Sequence, residues 1–424
     1  MFGLCARAPS LGDESEILRR IGWLSASNEG LIQTHDPTIA PPDEWGFGYP
    51  VGLANALDRS ESGSKRERAR RDAVFLKRLG RKQISMWSAS ELKSSCRVGL
   101  PRVHRRKVWL HLLQVSRVYD SKALVNLSGV SVDYESLLND RVDSKLARVI
   151  QADLRRTFPA CKNFRDPITL KKLRNVLFAF AAYRPDVGYC QGLNFICGVF
   201  LQVLGGSEAA EEEVFGCLVQ LICSENKNVG LHIKGYFELN MTQAISDLRA
   251  LGILMQNTSP EAMTDLGTSD LTIFASEWLH ALFATSFPFP VVLRIWDALI
   301  SEGWKIIFRV SAATLRLITA PGAVTLSEEG LLTHHKRLTR TFIDQDILMN
   351  EAFNRLGNLS RKQIEIWREQ NNRDQVTINR PIFSPVKEIP DISDKGSAVM
   401  GLGDISLEDL NSNGSARIAS HNTS

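Results

Sequence analysis

An arginine and a carboxylate in the middle of the chain are spaced for charge chemistry. Asp153 precedes Arg156 by one helical turn, so the carboxylate can hold the guanidinium in place on the same face. A planar guanidinium carries several N–H donors and matches phosphate oxygens better than the point charge of a lysine does. Thr157 and Phe158 then lead to Pro159, and the restriction that proline places on the preceding residue predicts that the helix ends there. An arginine at such a helix end can project toward another molecule.

A carboxamide in a second polar run could supply complementary chemistry. Gln191 follows Tyr189 and can both donate and accept hydrogen bonds, which is what holding a water nucleophile beside a phosphate requires. Gly188 and Gly192 flank the site, and glycine allows another backbone to approach closely. Asn194 lies three residues beyond Gln191, where we expect it to share a helical face and brace the glutamine side chain.

Each run has a plainer interpretation when it is taken alone. A lone Asp-x-x-Arg pair on a helix is nearly always a surface ion pair worth at most about 1 kcal/mol. A glutamine or asparagine at the start of an apolar helix is usually a cap or a hydrogen-bonded core group. Arg155 is chemically identical to Arg156 and adjacent to it, but only Arg156 keeps the three-residue spacing from Asp153.

Taken together, the two runs and their neighbours resemble the TBC domain, a family of GTPase-activating proteins for Rab-type small GTPases. The residues that carry the resemblance are Ile150, Asp153, Arg156 and Thr157 in the first run, Tyr189, Gln191, Gly192 and Asn194 in the second, and Trp109, Arg294, Trp296 and Asp297 in the flanking segments. The runs stand in the family order, after a Gly-Leu-Pro opening and before an Arg-x-Trp-Asp segment. All four segments would rarely occur by chance in this order in one chain.

The resemblance implies a role for each residue. Small GTPases hydrolyse GTP slowly because charge develops on the phosphoryl oxygens without a well-placed counter-charge and because the attacking water is poorly held. The family implies that Arg156 supplies the charge in trans and that Gln191 stands in for the GTPase's own glutamine, with Asp153, Tyr189 and Asn194 as support. It also implies a GTP-bound Rab-family partner that brings the nucleotide and Mg²⁺, with no cofactor or metal held by this chain.

The flanking residues are expected to be structural. Trp109 and Trp296 are better explained as core aromatics than as contact residues. Arg294 and Asp297 lie three residues apart and are most simply a buried or half-buried pair that fixes helix packing. A direct catalytic part is the less favoured interpretation.

The elements that position these residues are helices. Apolar residues recur at helical spacing in 170–181 and 292–300, and no strand-period alternation of comparable length is found. The pattern indicates an all-α fold, and the resemblance implies a large multi-helix TBC domain. The expected organisation is a poorly ordered, largely irregular leader at 1–60, a basic helical segment at 61–94, the TBC domain at 95–320, a C-terminal helical extension packing on it at 321–371, and a disordered tail at 372–424.

Two details of the flanks refine this organisation. A break at Ser94-Ser95 is predicted to separate the basic segment from the domain. The acidic-aromatic-Gly-Phe run at residues 43–48 is similar to an element that often precedes the TBC domain.

Composition excludes several classes of protein. A chain of 424 residues with 44% hydrophobic and 23% charged residues is ordinary for a soluble protein, and a net charge of +4 provides no global field for nucleic acid. The chain has no GxxxxGK[ST] phosphate loop, so it is not expected to be a GTPase itself. The seven cysteines show no CxxC pair that would indicate zinc. Without a secretory signal or an apolar run of bilayer length, a cytoplasmic location is expected.

The basic run at residues 65–82 leaves a second interpretation open. It is most simply the solvated face of an amphipathic helix, but it could contact an acidic membrane surface or an acidic partner. The expected function is GTPase activation in vesicle trafficking, with peripheral contact with endomembranes. The alternatives are a catalytically inactive TBC-type module that binds small GTPases, and a scaffold that recruits them to membranes.

Overall fold

The computed structural model describes residues 40, 42–50, 53–54, 69–116, 124–140, 142–205, 210–224, 231–238, 240–267, 271–320, 331–342 and 344–375. Within these ranges almost all regular structure is helical, which confirms the predicted all-α class. Most of the predicted leader and tail, and residues 61–68 and 321–330, lie outside the described residues.

The helices are numbered in chain order. They are α1 (69–79), α2 (Ala89–Val98), α3 (Arg102–Leu112), α4 (Tyr134–Asn139), α5 (Ser144–Leu154), α6 (Pro167–Tyr183), α7 (Leu193–Leu204), α8 (Ala210–Cys223), α9 (Thr242–Thr258), α10 (Pro260–Leu266), α11 (Thr272–His280), α12 (Phe289–Glu302), α13 (Lys305–Ile318), α14 (Leu331–Arg340), α15 (Gln345–Asn350) and α16 (Arg361–Gln375). Short 3₁₀ helices lie at Ile84–Met86, Lys162–Arg165 and Lys234–Tyr236, and a π-helical turn at Glu351–Arg355. Strands β1 (Leu124–Val125) and β2 (Ser131–Val132) pair antiparallel, with Leu124 opposite Val132.

Helices α12 and α13 lie at the centre of the molecule, and nearly all their residues are buried. Trp296 of α12 packs beside Trp109 of α3, with ring centroids 5.8 Å apart, and Phe200 of α7 meets Trp296 edge-on at 5.2 Å. All three rings are fully buried. Large aromatic rings that interlock in this way fix how α3, α7 and α12 pack.

The predicted ion pair between Arg294 and Asp297 is wrong. Asp297 accepts hydrogen bonds from Arg105 Nε at 2.9 Å and from Trp109 Nε1 at 2.8 Å, both on α3. The guanidinium of Arg294 instead lies 3.5 Å from Asp346 on α15. Because α12 is buried on all sides, residues three apart on it meet different neighbouring helices.

The predicted break at Ser94-Ser95 is also wrong, because both residues lie inside α2. That helix starts at a capping box in which Ser88 and Glu91 exchange hydrogen bonds. It ends at Gly99, whose φ of +101° lies in the region that favours glycine. Serine in a helix interior does not stop a helix that is capped this well at both ends.

The C-terminal helix α16 packs on α9 of the domain. Arg368 Nη2 donates to Asp247 Oδ2 at 2.8 Å, and its guanidinium stacks 4.0 Å from the ring centroid of Trp304. The helix continues to Gln375, beyond the predicted boundary at residue 371.

Candidate functional site

Helix α5 carries the first candidate residues to the surface. Asp143 caps its first turn by accepting backbone N–H bonds, and Ile150 anchors its inner face at 0% exposure. The helix ends at Leu154, earlier than the proline rule predicts, and Arg156 lies in the turn that follows. The turn closes with a bond from Arg156 N–H to the carbonyl of Asp153 at 3.1 Å.

A buried carboxylate holds the exposed guanidinium of Arg156. Its Nη2 donates to Asp153 Oδ1, and the side chain of Arg156 is 63% exposed while that of Asp153 is only 3% exposed. Tyr189 OH donates to the other carboxylate oxygen at 2.7 Å. Arg155 is also exposed, but the ion pair with Asp153 is made by Arg156. The carboxylate therefore joins the Arg156 turn to the run that contains Gln191.

A second connection joins the same two loops. Asn194 Nδ2 donates to Thr157 Oγ1 at 2.8 Å, and Thr157 Oγ1 donates to the carbonyl of Asp153 at 2.8 Å. Asn194 Oδ1 accepts the N–H of Gly192 at 3.1 Å. The expectation that Asn194 braces the Gln191 side chain on a shared helical face is wrong, because Gln191 precedes α7 and Asn194 supports the loop backbone instead.

The backbone at Gly192 fixes the direction of the Gln191 loop. Its φ is +117°, and a Cβ at this position would collide with the backbone carbonyl of His280 at the end of α11. Only glycine can adopt this positive φ and also avoid that collision without a shift of the chain. Gln191, the residue before it, is exposed.

The groups beside Arg156 keep their protons at neutral pH. Burial, followed by the hydrogen bond to the Asp153 carboxylate, raises the pKa of Tyr189 far above its usual value, so its hydroxyl remains a donor. Burial, with the Asp153 charge as a smaller cause, raises the pKa of Cys190 to about 11. The Tyr189 hydroxyl therefore remains a hydrogen-bond donor to the Asp153 carboxylate at neutral pH.

The structure links the predicted supporting residues to one another, but much of what holds the two loops was not predicted. Asp153, Thr157, Tyr189, Gly192 and Asn194 are joined by hydrogen bonds within and between the two loops, and Ile150 is buried in α5. The packing of the Phe47 ring on Phe158 was not predicted. The sequence feature that pointed to it was the weak acidic-aromatic run at residues 43–48.

The described residues lack both a metal site and a membrane-spanning helix. No group of three or more His, Cys, Asp or Glu side chains there is arranged to hold a metal ion. None of the helices in those ranges combines the length and apolar character needed to cross a bilayer.

Comparison with known proteins places this geometry in a family. The model of the Rab-GTPase-TBC domain matches residues 102–320, which include Arg156 and Gln191. Human TBC1 domain family member 2A is 30% identical over 393 residues, covering 86% of this chain but only 40% of that protein. Human growth hormone-regulated TBC protein 1 is 32% identical over 286 residues, covering 66% of this chain and 79% of that protein.

A solved structure supports the same fold. The Chlamydomonas flagellar RabGAP TBC domain superposes with a TM-score of 0.58 at 24% sequence identity, covering 75% of this chain and 100% of that one. The chain spans less than half the length of its relative TBC1 domain family member 2A. The chain belongs to the Rab-GTPase-TBC domain family.

Proposed function

We propose that this protein accelerates GTP hydrolysis by a Rab-family GTPase and inserts Arg156 and Gln191 into the partner's nucleotide site. The observation that carries the proposal is the connection between the two exposed groups. Arg156 is held by the buried Asp153, which accepts the hydroxyl of Tyr189, two residues before Gln191. A guanidinium and a carboxamide are thus presented by two loops that share one buried carboxylate.

In the proposed reaction each residue has one task. Arg156 stabilises the charge that develops on the transferred phosphoryl oxygens, a contribution of about 10³ to 10⁵ in rate, or roughly 4–7 kcal/mol. Gln191 orients the attacking water by donating to it or accepting from it. Asp153 orders the guanidinium before the partner arrives, which lowers the entropy lost on binding. GTP and Mg²⁺ come from the partner.

The proposal is tested by single-turnover phosphate release from a panel of GTP-loaded Rab proteins. Arg156→Ala and Arg156→Lys should lose about 10³-fold or more of the stimulated rate, and Gln191→Ala should also slow it. Arg155→Ala is the matched control, since it removes an identical exposed cation from the adjacent position and should retain the rate. The enzymatic proposal is overturned if Arg156→Ala stimulates hydrolysis as well as the parent.

The same panel decides the alternative of a catalytically inactive binding module. In that case the parent chain would bind a GTP-loaded Rab without shortening the lifetime of its GTP. Retention of both exposed side chains favours the active form.

We also propose peripheral contact with anionic endomembranes, in vesicle trafficking, through the outer face of α1. Two basic residues of this region form ion pairs within the chain: Arg71 pairs with Asp346, and Lys82 pairs with Glu91. A second set is exposed: Arg70, Val74 and Lys77 recur at helical spacing on α1, Leu76 lies to one side of them, and Arg81 lies in the turn that follows the helix. Basic and apolar side chains on one exposed face suit an anionic lipid surface.

Vesicle flotation of the full chain tests this contact. Replacement of Arg70, Lys77 and Arg81 by glutamine should reduce binding to vesicles that contain phosphatidylserine, since each cation near such a surface contributes about 1 kcal/mol. A control that replaces the exposed Lys171, Arg355 and Lys362 by glutamine removes the same charge from other helices. Equal binding of both variants would contradict the contact.

A further inference from the structure

A short segment before the matched domain joins the loop that carries Arg156. We call residues 43–49 the strap. The N–H of Gly48 donates to the carbonyl of Ala160 at 3.0 Å, and the N–H of Lys162 donates to the carbonyl of Gly46 at 2.6 Å. Phe47 and Cys161 form an isolated antiparallel bridge. The strap therefore pairs with residues 160–162 as a short extra strand would.

The ring of Phe47 lies under the Arg156 turn. It is 7% exposed and packs edge-on to Phe158 at 5.4 Å and stacked on Phe289 at 4.6 Å. Phe158, two residues after Arg156, has a φ of +45°. This left-handed conformation costs a non-glycine residue about 1–2 kcal/mol, so packing must hold it. Phe47 contributes part of that packing.

The strap is itself fixed to the domain at both ends. Asp43 Oδ1 accepts the N–H groups of Trp45 at 2.9 Å and Phe47 at 2.8 Å, which closes the turn. Arg102 of α3 stacks 4.6 Å from the centroid of Trp45, and Tyr49 OH accepts the N–H of Phe289 at 3.1 Å. Because the strap is anchored on α3 and α12, it can hold the Arg156 loop in a fixed position relative to those helices.

We propose that the strap positions the arginine finger, with Phe47 acting through Phe158 to hold the turn that projects Arg156. The inference rests on the proposed function and adds to it a positioning residue outside the matched domain. Phe47 is buried and acts on the rate only through Arg156. A displacement of about 1 Å in a reacting group can cost about 10²-fold in rate, so small losses of support matter.

The first experiment needs no GTPase. Amide hydrogen exchange in the full chain should become faster at residues 155–162 in Phe47→Ala. Phe75→Ala is the matched control, because Phe75 is a buried ring that also precedes the matched domain but packs on Trp87, 5.1 Å away. Exchange at 155–162 that rises equally in the two variants, or in neither, overturns the strap's role. Since this readout is independent of catalysis, it decides the inference even if no Rab is stimulated and the proposed function fails.

The second experiment separates positioning from general stability. With a stimulated Rab, Phe47→Ala should lower kcat by about 10- to 100-fold and leave KM for the GTP-loaded Rab unchanged, while Phe47→Leu restores most of the loss. In an Arg156→Ala background, Phe47→Ala should cause no further loss, because the group it positions is gone. An equal loss in both backgrounds, or the same loss in Phe75→Ala, would show a merely structural effect and overturn the inference.

Discussion

Asp297 is a fully buried carboxylate whose oxygens accept four hydrogen bonds, from Leu100 N–H, Trp109 Nε1 and two nitrogens of Arg105. Asp297→Ala leaves the buried guanidinium of Arg105 without its counter-charge. We expect a loss of about 3–5 kcal/mol in the free energy of unfolding, measured by urea denaturation. Asp265→Ala, at an exposed position, should change it by less than about 0.5 kcal/mol. Equal stabilities of the two variants would contradict this assignment.

At the scale of residues, the sequence predicts what is buried better than what is paired. Trp296 and Asp297 lie in an apolar helical run, and that pattern alone indicates burial. The partner of Asp297 could not be found in this way. Arg105 lies far away in sequence, and its approach depends on how α3 packs against α12. Arg156 is different, because its partner lies one turn away and local spacing suffices.

At the scale of elements, Gly192 links the direction of the Gln191 loop to the end of α11. Gly192→Ala combines a positive φ with a collision at the His280 carbonyl, so the loop must shift. We expect Gly192→Ala to lower kcat for stimulated hydrolysis by about 10²-fold. Gly188→Ala is the control: its φ is also positive, at +59°, but the nearest atom to its added Cβ is 3.8 Å away. If both variants lower kcat equally, backbone strain alone explains the effect.

Helix periodicity located α6 and α12 in the sequence, but helix ends and loops depended on contacts that no local pattern contains. Pro159 suggested an end for α5 that lies several residues too late, since the chain already turns after Leu154. The left-handed Phe158 is held by rings from distant segments, including Phe47. The role of Asn194 was misjudged for the same reason, because its partner Thr157 belongs to another loop.

At the scale of the whole molecule, the folded unit extends beyond the matched residues 102–320. The strap packs beside the Arg156 loop, and the residues that follow α15 pack on α13, where Arg309 Nη1 donates to the carbonyl of Ala352 at 2.7 Å. The sequence indicated helices in this C-terminal region. It could not show that Arg368 enters a buried pair with Asp247, since the two residues are 121 positions apart in the sequence.

That pair makes the stability of the whole molecule depend on pH. Burial raises the pKa of Asp247, and the hydrogen bond and charge of Arg368 oppose the rise. A carboxyl group with a higher pKa in the folded chain binds more protons when folded, so its contribution to stability is present in acid and is lost as the pH rises through the folded pKa. Arg368→Met removes the opposing charge and so raises the folded pKa of Asp247 further. The loss of stability with rising pH then extends toward neutral pH.

We therefore expect Arg368→Met to lower the free energy of unfolding by about 3–5 kcal/mol at neutral pH and by less at about pH 5, measured by urea denaturation at both. The smaller loss in acid follows because protonated Asp247 no longer needs a cation. Arg361→Met is the control, since Arg361 lies on the same helix, is exposed and donates to the carbonyl of Glu302 at 2.7 Å. It should cost about 1 kcal/mol at either pH. A loss in Arg368→Met that is the same at both pH values would mean that the stacking of Arg368 on Trp304, rather than its charge, holds α16 to the domain.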